Sequence, residues 1–161
     1  MLPSKRFLLS AAAAVLLSAA QAYAAPSDPP KLSPGDVMLP VEVSEGTSMA
    51  VSVSPDGKTL VTDLQGSLWT LPAAGGKATR ITDMFNDARQ PVWSPDGKTI
   101  VFFAYRDGGY DLWSVKPDGS DQKKLTFGAF DDRDPMWSPD GTKIAFASDR
   151  SEPGKGSYNI W

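Results

Sequence analysis

The 161-residue sequence contains no cysteine and no histidine. Without histidine there is no Ser-His-Asp or Cys-His machinery and no imidazole metal site. Without cysteine there is no disulfide, no thiolate zinc site and no nucleophilic thiol. Three interpretations remain: a non-catalytic module, a chemistry that uses carboxylates, or a segment of a longer protein.

Basic residues are also few, with 16 Lys and Arg against 19 Asp and Glu, which gives a formal net charge of -3. Nucleic-acid binding needs clustered Lys and Arg to neutralise phosphates. The sequence shows no such cluster, and we therefore expect no nucleic-acid partner.

A strongly apolar run occurs only near the start of the sequence. Lys5 and Arg6 precede the apolar residues 7–20, and Ala22 and Ala24 are the small residues that a signal peptidase requires. The run is shorter than the roughly 20 apolar residues that cross a bilayer. We predict a secretory signal peptide over residues 1–24 and an exported protein, periplasmic or secreted, without a transmembrane anchor after cleavage.

Residues 25–45 are rich in proline. Each proline fixes φ and removes an N–H donor that a helix or sheet would use. This composition predicts an extended leader ahead of the folded domain.

A Ser-Pro-Asp-Gly turn then occurs three times. Its copies are residues 54–59, 94–99 and 138–143. Pro presets φ, Asp accepts local backbone hydrogen bonds and Gly takes a left-handed conformation, so each copy predicts a hairpin. The spacings of 40 and 44 residues fall in the range of propeller repeats.

The five tryptophans also stand at repeat-equivalent positions. Trp93 and Trp137 come directly before a turn, whereas Trp69, Trp113 and Trp161 lie on a later predicted strand. Trp buries a large area when packed, which favours a structural layer; aromatic platforms for ligands are the alternative. The fold class predicted is all-β: a partial β-propeller of four-stranded antiparallel blades over residues 46–161, with two complete blades and most of a third. A β-sandwich is the alternative, but it would not repeat its turn and its Trp at fixed spacing.

These stretches resemble the TolB-like (WD-like) family of β-propeller repeats. Its units carry a Trp/Phe-Ser-Pro-Asp-Gly-Lys turn and then an Ile-Ala-Phe-type strand that ends near Ser-Asp-Arg. Residues 91–103 and 135–150 match this pattern, whereas Val53 replaces the expected Trp in the first unit. The resemblance is specific for the fold and poor for the function, since propellers host many unrelated tasks.

A narrower resemblance lies in residues 45–57 and 71–80 and in the Asp87-x-Arg89-x-Pro91 motif. They are similar to the opening of exported bacterial proteins that join a TolB-like propeller to a C-terminal amidohydrolase domain. The resemblance implies a divalent metal in a catalytic domain beyond Trp161, and no cofactor, metal ligand or catalytic residue in this segment. The missing C-terminal domain of the same chain would then be its partner.

Two other parents remain open at this point. One is a stand-alone periplasmic scaffold that binds envelope proteins or peptides, and the other is a prolyl oligopeptidase-type serine peptidase. A propeller usually closes with four to eight blades. The sequence supplies fewer, and we therefore expect a fragment of a longer protein.

The candidate site residues come from aligning the second unit on the third. An offset of 44 residues places Asp87 on Asp131 and Arg89 on Arg133. They enter the first strand of a blade, which in propellers lines the central channel, so we predict a polar rim that binds a partner or gates access. The alternative is mutual salt bridging between neighbouring blades.

Overall fold

The computed structural model describes residues 49–83, 86–106, 108–153 and 155–161. The predicted signal peptide and leader lie outside these residues. The described residues form eleven strands and no helix, so they offer no helix that could span a membrane. The strands are β1 (Val51–Val53), β2 (Thr59–Leu64), β3 (Ser67–Pro72), β4 (Thr79–Arg80), β5 (Ala88–Trp93), β6 (Ile100–Arg106), β7 (Gly109–Val115), β8 (Lys123–Lys124), β9 (Asp132–Trp137), β10 (Ile144–Ser148) and β11 (Asn159–Ile160).

Consecutive strands pair antiparallel within three separate sheets. The first sheet has the order β1-β2-β3-β4, the second β5-β6-β7-β8, and the third β9-β10-β11. Each sheet is one repeat of the sequence, and we refer to them as blades 1, 2 and 3. The predicted fold, two complete four-stranded blades and most of a third, is confirmed.

The turn between the first two strands of every blade folds through its own side chains. In blade 1 the hydroxyl of Ser54 donates to Asp56 at 2.6 Å and accepts the N–H of Thr59 at 2.9 Å. Gly57 takes a φ of 72°, and its N–H donates to the carbonyl of Ser54 at 2.8 Å. Blades 2 and 3 repeat this network. The hexapeptide therefore fixes the hairpin register from local bonds alone.

The three sheets converge at their first strands. β5 contacts both β1 and β9, whereas the last strands β4 and β8 contact only the adjacent strand of their own sheet within the described residues. Sheets that meet at the first strand and diverge at the last are arranged as the blades of a propeller.

Blade 2, which lies between the other two blades, is covered on both faces. Residues 100–104 of β6 are all apolar and at most 6% exposed. A strand buried on both sides of the pleat has no polar face, and this explains the unbroken apolar run. The full burial of Phe102 alone contributes about 1.5–3 kcal/mol.

Candidate functional site

One end of every blade gathers the start of its first strand and the hairpin between its second and third strands, because neighbouring strands are antiparallel. We call it the rim end, and the opposite end, which carries the Ser-Pro-Asp-Gly turns, the turn end. All four predicted site residues lie at the rim end. Asp87 and Arg89 stand at the start of β5, and Asp131 and Arg133 at the start of β9.

A β-bulge follows the arginine in both blades. In blade 2, Gln90 and Pro91 together lie opposite Phe102, and Gln90 takes a φ of 48°. In blade 3, Asp134 takes a φ of 53° at the equivalent place. Pro has no N–H for the ladder and is tolerated at a bulge. The bulge thus explains why the motif is Asp-x-Arg-x-Pro.

The blade 2 pair, Asp87 and Arg89, is an exposed ion pair. Nε and Nη2 of Arg89 each lie 3.1 Å from the same carboxylate oxygen of Asp87. The side chains of Arg89 and Asp87 are 48% and 38% exposed, and no aromatic ring of the described residues covers the guanidinium. Exposed pairs of this kind contribute about 0–1 kcal/mol. Arg89 is therefore accessible to a ligand.

The blade 3 pair, Asp131 and Arg133, is more enclosed. Nη2 of Arg133 lies 2.8 Å from Asp131, and the guanidinium carbon lies 4.1 Å from the ring centroid of Tyr110 and 5.6 Å from that of Tyr158. The Tyr158 hydroxyl donates to Asp131 at 3.4 Å. Desolvation raises the pKa of the Tyr158 hydroxyl above its usual value.

The blade 3 pair also joins blade 3 to blade 2. Oδ1 of Asp131 accepts the backbone N–H of Tyr110 at 3.1 Å, and Arg133 lies over the ring of the same tyrosine. The ion pairs of Arg89 and Arg133 lie within a single blade and not between neighbouring blades. Each arginine pairs with the aspartate two residues before it in its own blade, as with Asp87 and Arg89.

The sequence patterns did not indicate Asp63, which joins blades 1 and 2. It is 5% exposed, and its two oxygens accept the N–H of Ala50 at 2.6 Å and the N–H of Gln90 at 2.8 Å. The N–H of Gln90 is available because the bulge removes it from the ladder. An acid inside the β2 strand was the available signal, since a buried carboxylate needs partners.

The rings of the three tryptophans on the third strands, Trp69, Trp113 and Trp161, lie under cations of the chain itself. These are Arg80 at 5.9 Å from the centroid of Trp69, Arg106 at 5.6 Å from Trp113 and Arg150 at 5.2 Å from Trp161. Such cation–π contacts stabilise the blade. They favour the structural interpretation of the tryptophans over ligand platforms.

A cavity of about 350 Å³ lies at the turn end between blades 2 and 3 and includes Asp96, Trp137 and Asp140 in its lining. Hydrogen bonds from Ser94 and Ser138 lower the pKa of Asp96 and that of Asp140, the latter to about 2. Both carboxylates are thus engaged in their own turns. The described residues contain no group of three or more potential metal ligands.

The blade geometry and the repeated motif agree with a known family. The family model described as the tricorn protease N-terminal beta propeller domain matches residues 47–161. The chain belongs to this family. The TolB-like β-propeller predicted from the turns is thereby confirmed.

Two solved TolB structures resemble this propeller in fold and in sequence. The putative TolB from Agrobacterium tumefaciens has a TM-score of 0.59 and 31% identity, over 65% of this chain and 40% of that chain. TolB from Acinetobacter baumannii has a TM-score of 0.60 and 26% identity, over 72% of this chain and 29% of that chain. The tricorn protease, at 19% identity and a TM-score of 0.52, shares the fold alone.

A peptidase is similar over a shorter stretch. The uncharacterized peptidase YuxL of Bacillus subtilis (strain 168) is 40% identical over 53 residues, which are 30% of this chain and 8% of that protein. The chain thus spans well under half the length of each relative named here.

Proposed function

We propose that this propeller is a non-catalytic module of a larger exported hydrolase, and that its rim end binds substrate or gates access to the catalytic domain. The observation that carries the proposal is the repeated Asp–Arg pair at the start of β5 and β9. Both pairs lie at the same end of adjacent first strands, and the blades of a closed propeller surround a central channel. Arg89 is the exposed member, and we assign it the contact with substrate.

We assign binding, and not catalysis, to this rim. Asp87 and Asp131 accept hydrogen bonds from their own arginines, and the sequence has no Cys to act as a nucleophile and no His to act as a general base. Guanidinium groups beside carboxylates suit the recognition of polar or charged substrate groups. A divalent metal, if the parent is an amidohydrolase, would belong to its catalytic domain.

We propose an amidohydrolase-type parent, on the resemblance of residues 45–57 and 71–80. A peptidase is the second candidate, and the stretch shared with the peptidase YuxL favours it. A stand-alone scaffold, to which the likeness to TolB points, is the third. Export is proposed from residues 1–24.

The sequence that follows the last blade in the natural gene distinguishes these parents. A His-x-His motif on a strand of a β/α barrel supports the amidohydrolase, and Gly-x-Ser-x-Gly supports the peptidase. A stop codon soon after blade closure contradicts the hydrolase proposal.

The rim proposal is tested with Arg89→Gln in the natural full-length protein. The measurement is kcat/KM for a short chromogenic amide and for a peptide of several tens of residues. We expect the ratio of the two values to change about fivefold, since one exposed charge contact contributes about 1 kcal/mol. Lys77→Gln, on an exposed residue outside the rim, is the control. An unchanged ratio contradicts the gate, and hydrolysis of neither substrate contradicts the amide-hydrolase parent.

A further inference from the structure

Two arginines outside the rim pairs occupy equivalent positions in blades 2 and 3. Arg106 is the last residue of β6. Arg150 comes 44 residues after Arg106 in the sequence and lies just beyond the end of β10. Their side chains are 10% and 26% exposed. Each lies over the third-strand tryptophan of its own blade, Trp113 or Trp161. Both are therefore held by the blade and directed toward the rim end.

Arg106 holds the segment that leads into the blade 2 pair. Its Nη1 donates to Oδ1 of Asn86 at 2.7 Å and lies 3.5 Å from a carboxylate oxygen of Asp83. Asn86 is fully buried and directly precedes Asp87. The backbone at Asp87, which takes a φ of 41°, thus continues from a fixed point.

Arg150 holds the blade 3 pair in the same manner. Its Nη2 lies 2.8 Å from Asp132, whose side chain is 1% exposed, and its Nε donates to Ser148 at 3.0 Å. Asp132 stands between Asp131 and Arg133 in the sequence. Charge-assisted bonds of this kind are about twice as strong as neutral ones, and a buried carboxylate without its cation is strongly unfavourable.

We propose that Arg106 and Arg150 are positioning residues for the rim: each anchors the residue beside a rim aspartate and so fixes where Arg89 or Arg133 points. Asn86 precedes its rim aspartate in the sequence, whereas Asp132 follows its rim aspartate. Arg106 binds Asn86, and Arg150, its equivalent in blade 3, binds Asp132. The proposal rests on the proposed function of the rim, but it concerns the order of the rim, which is measurable without substrate.

The test measures how fast phenylglyoxal modifies Arg89 and Arg133 in the natural full-length protein, by peptide mass spectrometry. Arg150→Met should make the modification of Arg133 about tenfold faster, the equivalent of one strong hydrogen bond, and leave Arg89 unchanged. Arg106→Met should make the modification of Arg89 about threefold faster, because that pair is already exposed, and leave Arg133 unchanged.

The matched control is Arg80→Met. Arg80 also lies over a tryptophan, Trp69, but it stands in β4 at the outer edge of blade 1. It should change neither rate. Arg150→Lys keeps the charge without the planar fork and should give an intermediate rate for Arg133.

Melting temperatures of all variants accompany the rates, and Arg150→Lys carries the test if Arg150→Met does not fold. Equal acceleration at both rim arginines, or no acceleration in a folded variant, overturns the positioning role. Faster modification of Arg133 in Arg150→Met, together with an unchanged ratio of substrate kcat/KM values in Arg89→Gln, supports positioning and contradicts gating, so the two proposals fail separately.

Discussion

At the junction between blades 1 and 2, the buried carboxylate of Asp63 accepts the N–H of Gln90, whereas the side chains of Asp87 and Arg89 form no hydrogen bond to blade 1 within the described residues. At the junction between blades 2 and 3 the pair itself makes the link. Asp131 accepts the N–H of Tyr110, and its partner arginine stacks on that ring. One sequence motif thus serves as an exposed ion pair at one junction and as an interblade contact at the other.

The difference arises from the residues that face the motif. By strand register, the place of Asp63 in blade 1 is taken in blade 2 by Phe103, which has no hydrogen-bond acceptor in its side chain. The residue that meets the incoming strand is Gly66 in blade 1 and Tyr110 in blade 2. Gly66 offers no ring to an arginine, and the blade 2 pair is therefore left to solvent and to ligands.

Among the substitutions that test this difference between the two junctions, Asp63→Ala should have the largest effect on stability. The substitution removes the acceptor of the N–H groups of Ala50 and Gln90, and each hydrogen bond to a charged group contributes about 1.5–3 kcal/mol. We expect the free energy of unfolding of the propeller to fall by about 2–4 kcal/mol in urea denaturation. Asp87→Ala, which removes only an exposed pair, should lower it by less than about 0.5 kcal/mol. Equal losses in the two variants would contradict the division of roles.

A double-mutant cycle sharpens the comparison at a smaller scale. Tyr110→Leu combined with Arg133→Gln should give a coupling energy of about 0.5–1 kcal/mol, because the guanidinium lies 4.1 Å from the ring centroid. The same tyrosine substitution combined with Arg89→Gln should give a coupling energy near zero. Chemical denaturation of the three single variants, the two double variants and the unmodified protein measures both coupling energies. Coupling to Arg89 of the same size would show that the two pairs act alike.

The fold could be predicted from the sequence because its units repeat. The Ser-Pro-Asp-Gly turn is held by hydrogen bonds between residues two to five apart, and the spacing of its three copies predicted the number of blades. The 44-residue offset also aligned Asp87 with Asp131 and Arg89 with Arg133, which lie at the starts of β5 and β9. The interblade partners were not predictable in this way. Asp63 lies 27 residues from Gln90 and has Phe103 at its place in blade 2, and Tyr110 has Gly66 at its place in blade 1.

The smallest expected effect concerns the turn ends. Unlike the rim ends, the turn ends share the same hydrogen bond from serine to aspartate in all three blades. The hydrogen bond from the serine hydroxyl is the first cause that lowers the pKa of Asp56, Asp96 and Asp140 below the ordinary value of 3.8. For Asp140 the pKa falls to about 2. A carboxyl whose pKa is lower in the folded state contributes stability above its unfolded pKa, and that contribution is lost as the pH falls through the folded value.

Urea midpoints measured as a function of pH should therefore show part of the stability disappearing between about pH 4 and about pH 2. Ser138→Ala removes the main donor to Asp140, so the pKa of that carboxyl should rise toward 3.8 and its share of the pH dependence should shrink. Ser54→Ala should act in the same direction through Asp56. If the two serine variants change the pH dependence in opposite directions, the turn ends differ between blades as the rim ends do, and their equivalence fails.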